Sequence, residues 1–157
     1  MNIIIDYLVH HRECIPILAH WFQEEWGHFH PQTTLEQKIA GLKERCETTG
    51  RIPITLVAKM GNHVVGTASL VKYDMEVHLE LTPWLSSVYV DTAHRRQGIG
   101  SQLVKRIVKE AVNINAKMLY LFTPDREGFY ARMGWQVLYR EMYRGQQVVL
   151  METRVAG

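Results

Sequence analysis

The spacing of apolar side chains predicts a chain that alternates between strands and helices. Residues 2–9 are rich in isoleucine and predict an opening strand. Residues 11–25 carry apolar side chains at every third or fourth position, which predicts a helix with one buried stripe. The next apolar stripe predicts a second helix that is capped by Thr33 or Thr34 and ends at Gly50.

The middle of the chain is rich in residues that favour strands. Residues 54–60 and 64–73 are two β-rich runs, separated by a Gly-Asn dipeptide that favours a tight turn. They therefore predict an antiparallel hairpin. Residues 74–82 are more polar and predict a loop, and residues 84–90 predict the strand that follows it.

The last third of the chain predicts one more crossover and a final hairpin. Residues 103–111 carry an apolar helical stripe, and residues 117–122 form a short β-rich run, so this strand should lie parallel to the strand before the helix. A short helix over residues 127–133 and strands over residues 135–144 and 147–153 complete the pattern. The expected fold class is mixed α/β, with about seven strands and four helices.

Length and composition agree with one domain over residues 1–157. Hydrophobic residues make up 46% of the chain and charged residues 22%, and the net charge is +2, which is too small to require a nucleic-acid partner. No run approaches the ~18 apolar residues of a membrane span, and Asp6 stands where a signal peptide carries basic residues. With only Cys14 and Cys46, neither a disulfide framework nor a cysteine zinc site is expected. We therefore expect a cytoplasmic protein without a metal, a membrane partner or a nucleic-acid partner.

The most informative segment lies between the strand at residues 84–90 and the helix after it. Residues 95–101 read Arg-Arg-Gln-Gly-Ile-Gly-Ser, and they place Gly98 and Gly100 where a helix begins. Glycines let a backbone approach an anion closely, and the first amides of a helix have no intrahelical partners. The segment therefore predicts a phosphate site. It is neither a dinucleotide fingerprint, which needs a third glycine at Leu103, nor a P-loop. The alternative is a simple tight turn with solvated arginines.

Two blocks of sequence resemble the GNAT superfamily of N-acetyltransferases. The first is Val88-Tyr89-Val90-Asp91 followed by Arg95-x-x-Gly98-x-Gly100, which is similar to the acyl-coenzyme A signature of that superfamily. The second is Leu121-Phe122-Thr123-Pro124-Asp125 followed by Phe129-Tyr130-x-x-x-Gly134-Trp135. The upstream order of helices and strands fits the same fold, so the resemblance extends over the whole chain.

The resemblance implies a GNAT fold with a central splay in its sheet and acetyl-CoA as co-substrate. It implies that the pantetheine arm pairs with backbone groups of Val88 and Val90, and that amides of residues 96–101 hold the pyrophosphate. Thr123 stands near the place of an asparagine that many family members have, and it is expected to take over the contact with the cofactor. The implied cofactor-binding residues are Val88, Tyr89, Val90, Arg95, Arg96, Gln97, Gly98, Ile99, Gly100, Ser101 and Thr123.

The implied reaction is direct transfer of an acetyl group to a primary amine. Tyr130 has the spacing from Gly134 at which many family members carry the general acid that protonates the departing thiolate. The alternative is that Phe129 and Tyr130 form an ordinary core pair. A backbone amide near Val88 is expected to bind the oxyanion.

The general base is less clear, because two serines stand where family members often place a glutamate. Glu80, just before that strand, is our first candidate, and Asp74, Glu25 and His78 are weaker ones. For each of them, the alternative is a solvated surface group.

The acceptor pocket of this fold lies beside the first two helices and the loops at the splay. Glu25, Trp26 and Trp84 are the expected substrate residues, because tryptophans with acids nearby can hold a cationic amine. Trp26 could equally fill the core. The expected acceptor is a primary amine of a small molecule or of a protein N-terminus, and a homodimer through the last strands stays open.

Two other classes of function compete with the enzyme. One is a sensor of the same fold that binds acyl-CoA without turnover, and the presence of Tyr130 argues against it. The other is a nucleic-acid binder, which would use basic residues of the phosphate segment and the following helix. Those residues are Arg95, Arg96, Lys105, Arg106 and Lys109.

Overall fold

The computed structural model describes residues 2–46 and 51–155. They form seven strands and four α-helices, in the order β1 (Ile4–Tyr7), α1 (Ile15–Trp26), α2 (Leu35–Arg45), β2 (Ile54–Met60), β3 (His63–Val71), β4 (Trp84–Val90), α3 (Ile99–Asn113), β5 (Met118–Thr123), α4 (Glu127–Arg132), β6 (Gln136–Tyr143) and β7 (Gln146–Arg154). The mixed α/β fold of about seven strands and four helices is therefore confirmed. The predicted helix end at Gly50 lies outside the described residues.

Two helix starts show how local sequence sets the boundaries. α1 begins at Ile15, four residues later than its apolar stripe suggested, because two 3-10 turns occupy the preceding residues and Pro16 suits the first turn of a helix. α2 is capped by Thr34, whose hydroxyl accepts from the amide of Gln37 at 3.1 Å. The Gln37 side chain in turn accepts from the amide of Thr34 at 2.8 Å, which completes a capping box.

The strands form one mixed sheet in the order β1-β2-β3-β4-β5-β7-β6. Among the strands of the described residues, only β4 and β5 pair in parallel. The helices cover both faces of the sheet, as alternate residues of β2 show: Leu56 and Ala58 pack in a cluster with α3, whereas Val57 packs in a cluster with α1 and α2. The two helix layers enclose the middle of the sheet, where the candidate site lies.

A bulge bends β4 away from β5. Thr67 pairs with Tyr89 and Ser69 with Ser86, so Ser87 and Val88 together stand opposite one residue of β3. Ser87 has a φ of 57°, in the left-handed region. β4 and β5 pair at one register position, Trp84 with Tyr120, after which they diverge. The expected splay is present, and it leaves one edge of β4 open.

Candidate active site

A cavity of about 770 Å³ occupies the gap between β4 and β5. Its two ends are built from different elements. We call the first the glycine-loop end, formed by β4 residues 88–90, by residues 94–96 and 98–101, and by α4. The second is the α2 end, to which α1, α2 and Asp74 contribute.

The glycine-loop end presents the amides that begin α3. Gly98 caps this helix in the left-handed region, with φ 80°, and Arg96 also has a positive φ of 62°. The first intrahelical bond near the cap runs from the Gln102 amide to the Gly98 carbonyl at 3.1 Å. The preceding amides of the first turn therefore face the cavity without intrahelical partners, in the positive field of the helix N-terminus. This arrangement suits the pyrophosphate of a coenzyme A ester.

Arg95 holds the loop in place. Its Nε donates to the Val90 carbonyl at 2.9 Å, and its guanidinium lies 5.3 Å from the centre of the Tyr89 ring. The end of β4 and the loop are thereby fastened together. Arg96, in contrast, is exposed at the cavity and lies next to the open helix amides.

The open edge of β4 supplies backbone groups to the same cavity. The Asp91 amide donates to the Val65 carbonyl at 2.9 Å, on the β3 side. Because amides alternate along a strand, those of Val90 and Val88 point to the opposite side, into the splay. These groups fit an extended, amide-containing arm such as pantetheine.

α4 brings Tyr130 to the cavity wall. The ring packs among core residues and contacts Phe129 and Trp135, with ring centres 5.0 Å and 5.9 Å away. Burial raises the pKa of the phenol, so the hydroxyl keeps its proton at neutral pH. Thr123, at the end of β5, also lines the cavity, and its Oγ1 accepts from the Arg126 amide at 3.0 Å, which stabilises the turn into α4.

Asp74 is the carboxylate at the other side of the cavity. Ser86 donates to its Oδ1 at 2.7 Å. Burial raises the pKa of Asp74 to about 6, although the Ser86 hydrogen bond and the positive charge of Arg45 oppose that rise. The charge of Asp74 also contributes to the raised pKa of Tyr130, so the carboxylate and the phenol interact electrostatically across the cavity.

The α2 end contains both signs of charge between aromatic walls. Glu25 and Trp26 of α1 line it, with Trp26 packed at 5.4 Å from Phe22. Lys38 and Arg45 reach it from α2. Glu25 and Trp26 therefore line the same cavity as the glycine loop, and their binding of substrate stays a prediction.

Four of the sequence-predicted residues lie outside the cavity wall: His78, Glu80, Trp84 and Gln97. The Glu80 side chain is 69% exposed, and its carboxylate lies 3.6 Å from the His78 ring, so it is not placed to act as a base in the cavity. Trp84 is 1% exposed; its indole donates to the Leu81 carbonyl at 2.7 Å within the core, and it is not positioned to contact substrate. Gln97 is exposed on the loop without lining the cavity.

The sequence pattern favours Glu80 over Asp74 as the general base. It does not identify Lys38 and Arg45 as cavity residues. The useful signal was the spacing of two cations seven residues apart, beside Leu42 on an apolar helix face. Residues 2–46 and 51–155 hold no group of three or more His, Cys, Asp or Glu arranged to hold a metal. None of the described helices has the length and apolar character that a membrane crossing requires.

The chain belongs to the GNAT acetyltransferase family. The family model described as Acetyltransferase (GNAT) family matches residues 15–135, which include the splay, the glycine loop and α4. The resemblance of the two sequence blocks to this family is thus confirmed. Acetyl transfer is the reaction for which the family is named.

Solved structures share the fold over nearly the whole chain. An N-acetyltransferase from Staphylococcus aureus is 16% identical, with a TM-score of 0.77, and the match covers 99% of this chain and 100% of that one. The structure of yncA from Salmonella typhimurium with its cofactor acetyl-CoA is 17% identical, with a TM-score of 0.74 and coverage of 100% and 96%. An aminoglycoside 6'-N-acetyltransferase complexed with coenzyme A is 14% identical, with a TM-score of 0.76 and 98% coverage of each chain. At these identities the likeness concerns the fold.

Proposed function

We propose that this protein is an N-acetyltransferase that uses acetyl-CoA to acetylate a primary amine. The observation that carries the proposal is one cavity with three features: the open amides of the glycine loop, the protonated phenol of Tyr130, and the carboxylate of Asp74. A binding module needs only the first of these features. The other two are the groups that transfer to an amine requires.

The glycine-loop end fits the donor. Amides of residues 99–101 and the exposed Arg96 would hold the pyrophosphate, and Val88 and Val90 would pair with the pantetheine arm. Acetyl-CoA, when bound, supplies an activated thioester carbonyl. The structures of yncA with acetyl-CoA and of the aminoglycoside enzyme with coenzyme A support this assignment, because the same fold binds these ligands there.

In the proposed transfer, the acceptor nitrogen forms a bond to the acetyl carbon while the thioester C–S bond breaks. The nitrogen loses one proton, and the departing sulfur gains one. Asp74 accepts the proton from nitrogen, directly or through water, because its pKa of about 6 leaves it ionised at neutral pH. Ser86 and Arg45 hold this carboxylate in its ionised form.

Tyr130 donates a hydrogen bond from its hydroxyl to the departing sulfur. A thiolate has a pKa near that of cysteine, about 8.5, whereas the buried phenol has a pKa above its ordinary value of 10.0. The phenol therefore stabilises the developing charge mainly by hydrogen bonding, and full protonation of the thiolate can follow from solvent. An amide on the open edge of β4 near Val88 is the candidate donor to the carbonyl oxygen.

The test is a titration of acetyl-CoA into the protein by calorimetry, followed by thiol release and mass spectrometry with a panel of primary amines. The proposal predicts binding, thiol release that depends on amine, and a product heavier by one acetyl group at nitrogen. Binding without transfer to any amine would indicate a sensor. Absence of binding would contradict the assignment of the glycine loop.

The remaining expectations concern surroundings and partners. We propose a cytoplasmic enzyme that acts without a metal or a nucleic-acid partner, in line with the small net charge of the chain. Homodimerisation through β6, the edge strand with Tyr139 and Met142 exposed, stays a prediction that size-exclusion chromatography with light scattering would test.

A further inference from the structure

The α2 end of the cavity has a charge arrangement that acetylation of a simple amine does not require. Lys38 and Arg45 are seven residues apart on α2 and both line the cavity, with Gly41 and Leu42 between them on the same face. Both cations are half-buried. The positive charge of a protonated amine that carries no acidic group would be repelled by these two cations.

Neither cation is neutralised by a direct partner in the part of the chain that is described. Over residues 2–46 and 51–155, no carboxylate lies within ion-pair distance of Lys38 or Arg45. Burial lowers the pKa of each, and the charge of Asp74 partly opposes this for Arg45. Desolvated cations that face a cavity without an ion pair are a site for an anion.

Two neighbouring basic residues, His30 and Arg144, are not available to an incoming anion. Burial and the charges of Arg144 and Lys38 lower the pKa of His30, so this imidazole is neutral at pH 7. Arg144 is already engaged by the Glu76 carboxylate and by the Phe29 carbonyl, the latter at 2.8 Å. Among the described basic residues at the α2 end, Lys38 and Arg45 therefore remain for an incoming anion.

Asp74 and Arg45 interact through space without forming an ion pair. Both line the cavity, so its wall carries a negative and a positive charge at the same end. An α-amino acid carries the complementary pattern, because its ammonium and its carboxylate are attached to one carbon. The ammonium would face Asp74; after it loses one proton to solvent, the neutral amine gives its second proton to Asp74 during transfer. The carboxylate would face Arg45, with its planar fork of donors, and Lys38.

The side chain of such an acceptor would meet aromatic walls. Phe29, Phe122 and Tyr143 line the same region, with the Phe122 ring 6.2 Å from Phe29 and 5.5 Å from Tyr143. These rings favour an apolar side chain. The surface at this end thus matches each part of an apolar α-amino acid.

From this arrangement we infer that the acceptor is a free α-amino acid with an apolar side chain, held by its carboxylate at Arg45 and Lys38 while Asp74 receives the proton of its amine. The inference rests on the proposed acetyltransferase function and narrows its substrate class. It excludes polyamines, which would bring only positive charge to these residues.

The test compares phenylalanine with phenylalaninamide, which has the same side chain and amine but no carboxylate. The amide has the more acidic ammonium, and its larger fraction of neutral amine at neutral pH offsets the lower nucleophilicity of that amine. Amine basicity alone therefore predicts little difference between the two acceptors. We expect kcat/KM for phenylalanine to be about 100-fold higher, the size of one lost charge-assisted contact to a buried cation. Spermidine should be a poor acceptor.

The variants Arg45→Gln and Lys38→Gln should abolish most of this preference by raising KM for phenylalanine more than for the amide. Lys43→Gln is the matched control, since Lys43 lies on the exposed face of the same helix and should leave the preference unchanged. Calorimetry with phenylalanine and the coenzyme A complex gives a readout independent of turnover. There the Arg45→Gln variant should weaken amino-acid binding and leave coenzyme A binding intact.

Equal acetylation of acid and amide, or an equal loss for both in Arg45→Gln, would overturn the inference and leave the acetyltransferase proposal standing. A peptide with an N-terminal aspartate that reacts faster than phenylalanine would also overturn it, because the recognised carboxylate would then belong to a side chain of a longer acceptor. Failure of every amine to react, with acetyl-CoA bound, would instead contradict the proposed function itself.

Discussion

The two ends of the cavity differ in how the chain builds them. The glycine-loop end comes largely from one continuous stretch, residues 88–101, in which a strand, a tight turn and a helix N-terminus follow each other. The α2 end comes from three distant segments, represented by Glu25, Lys38 and Asp74. The first end offers backbone amides, and the second offers side-chain charges.

This difference separates what the fold shares from what the individual protein selects. Backbone amides at a helix N-terminus bind a phosphate whatever the neighbouring side chains are, so long as the turn keeps its shape. Side-chain charges can change with single substitutions while the fold stays the same. We therefore expect variants at the glycine loop to affect donor binding, and variants at the α2 end to affect chemistry and acceptor choice.

The largest effect is expected from Asp74→Asn, which removes the proton acceptor but keeps the shape of the side chain. The kcat for amine acetylation should fall by about 100-fold to 10,000-fold, the range for loss of a general base, while the Kd for acetyl-CoA stays unchanged. Glu80→Gln, in the same loop but facing solvent, is the matched control and should retain full activity. Equal losses in both variants would remove Asp74 from the mechanism.

Gly98→Val should have the next largest effect, and on donor binding. A β-branched residue is strained at φ 80°, so the turn should shift and displace the amides that face the pyrophosphate. The Kd for acetyl-CoA, measured by calorimetry, should rise by about 100-fold, which corresponds to about 3 kcal/mol. Gly61→Val is the control, because Gly61 has a similar φ of 62° in the exposed turn after β2. If both variants bind acetyl-CoA normally, the glycine loop is not the donor site.

A smaller effect is expected from Tyr130→Phe, which keeps the buried ring and removes one hydroxyl. Loss of a hydrogen bond to a charged sulfur is worth about 1.5–3 kcal/mol, so kcat should drop by about 10-fold to 100-fold with acetyl-CoA affinity preserved. Tyr139→Phe, on an exposed position of β6, serves as the control in the same assay. An unchanged kcat in Tyr130→Phe would assign Tyr130 to the core alone.

The mildest test concerns stability, and it uses the raised pKa of Asp74. A carboxyl with a pKa of about 6 in the folded chain, against 3.8 as its ordinary value, binds more protons when folded between these two pH values. Its contribution to the free energy of unfolding therefore decreases as the pH rises through this window. Relative to Asp74→Asn, the wild type should lose up to about 3 kcal/mol between about pH 4 and pH 8 in urea unfolding. A difference that does not change with pH would contradict the raised pKa.

The same contrast explains what the sequence could predict. The glycine loop could be predicted because its chemistry depends on a local order of residues: Val90, then Arg95, then Gly98 and Gly100. The strands and helices could be predicted for the same reason, because hydrophobic periodicity and turn residues are local signals. Even the capping box of Thr34 and Gln37 could be anticipated from their spacing.

The charged end could not be assigned in this way. Asp74 and Glu80 belong to one polar loop, and only the folded chain shows that Asp74 turns inward to Ser86 while Glu80 turns outward to His78. Trp84 suggested a cation site, yet the strand register buries its ring in the core. Such choices depend on contacts between segments far apart in the chain, which periodicity does not encode.

The measurement that tests the central claim most directly is the pH dependence of kcat/KM for amine acetylation in the wild type and in Asp74→Asn. Both proteins lose rate at low pH because the acceptor is protonated, and that contribution cancels in the comparison. Below about pH 6, Asp74 itself becomes protonated. In a plot of log kcat/KM against pH, the wild type should therefore fall one unit per pH unit more steeply than Asp74→Asn. Parallel profiles in the two proteins would show that no proton passes through Asp74 and would contradict the account.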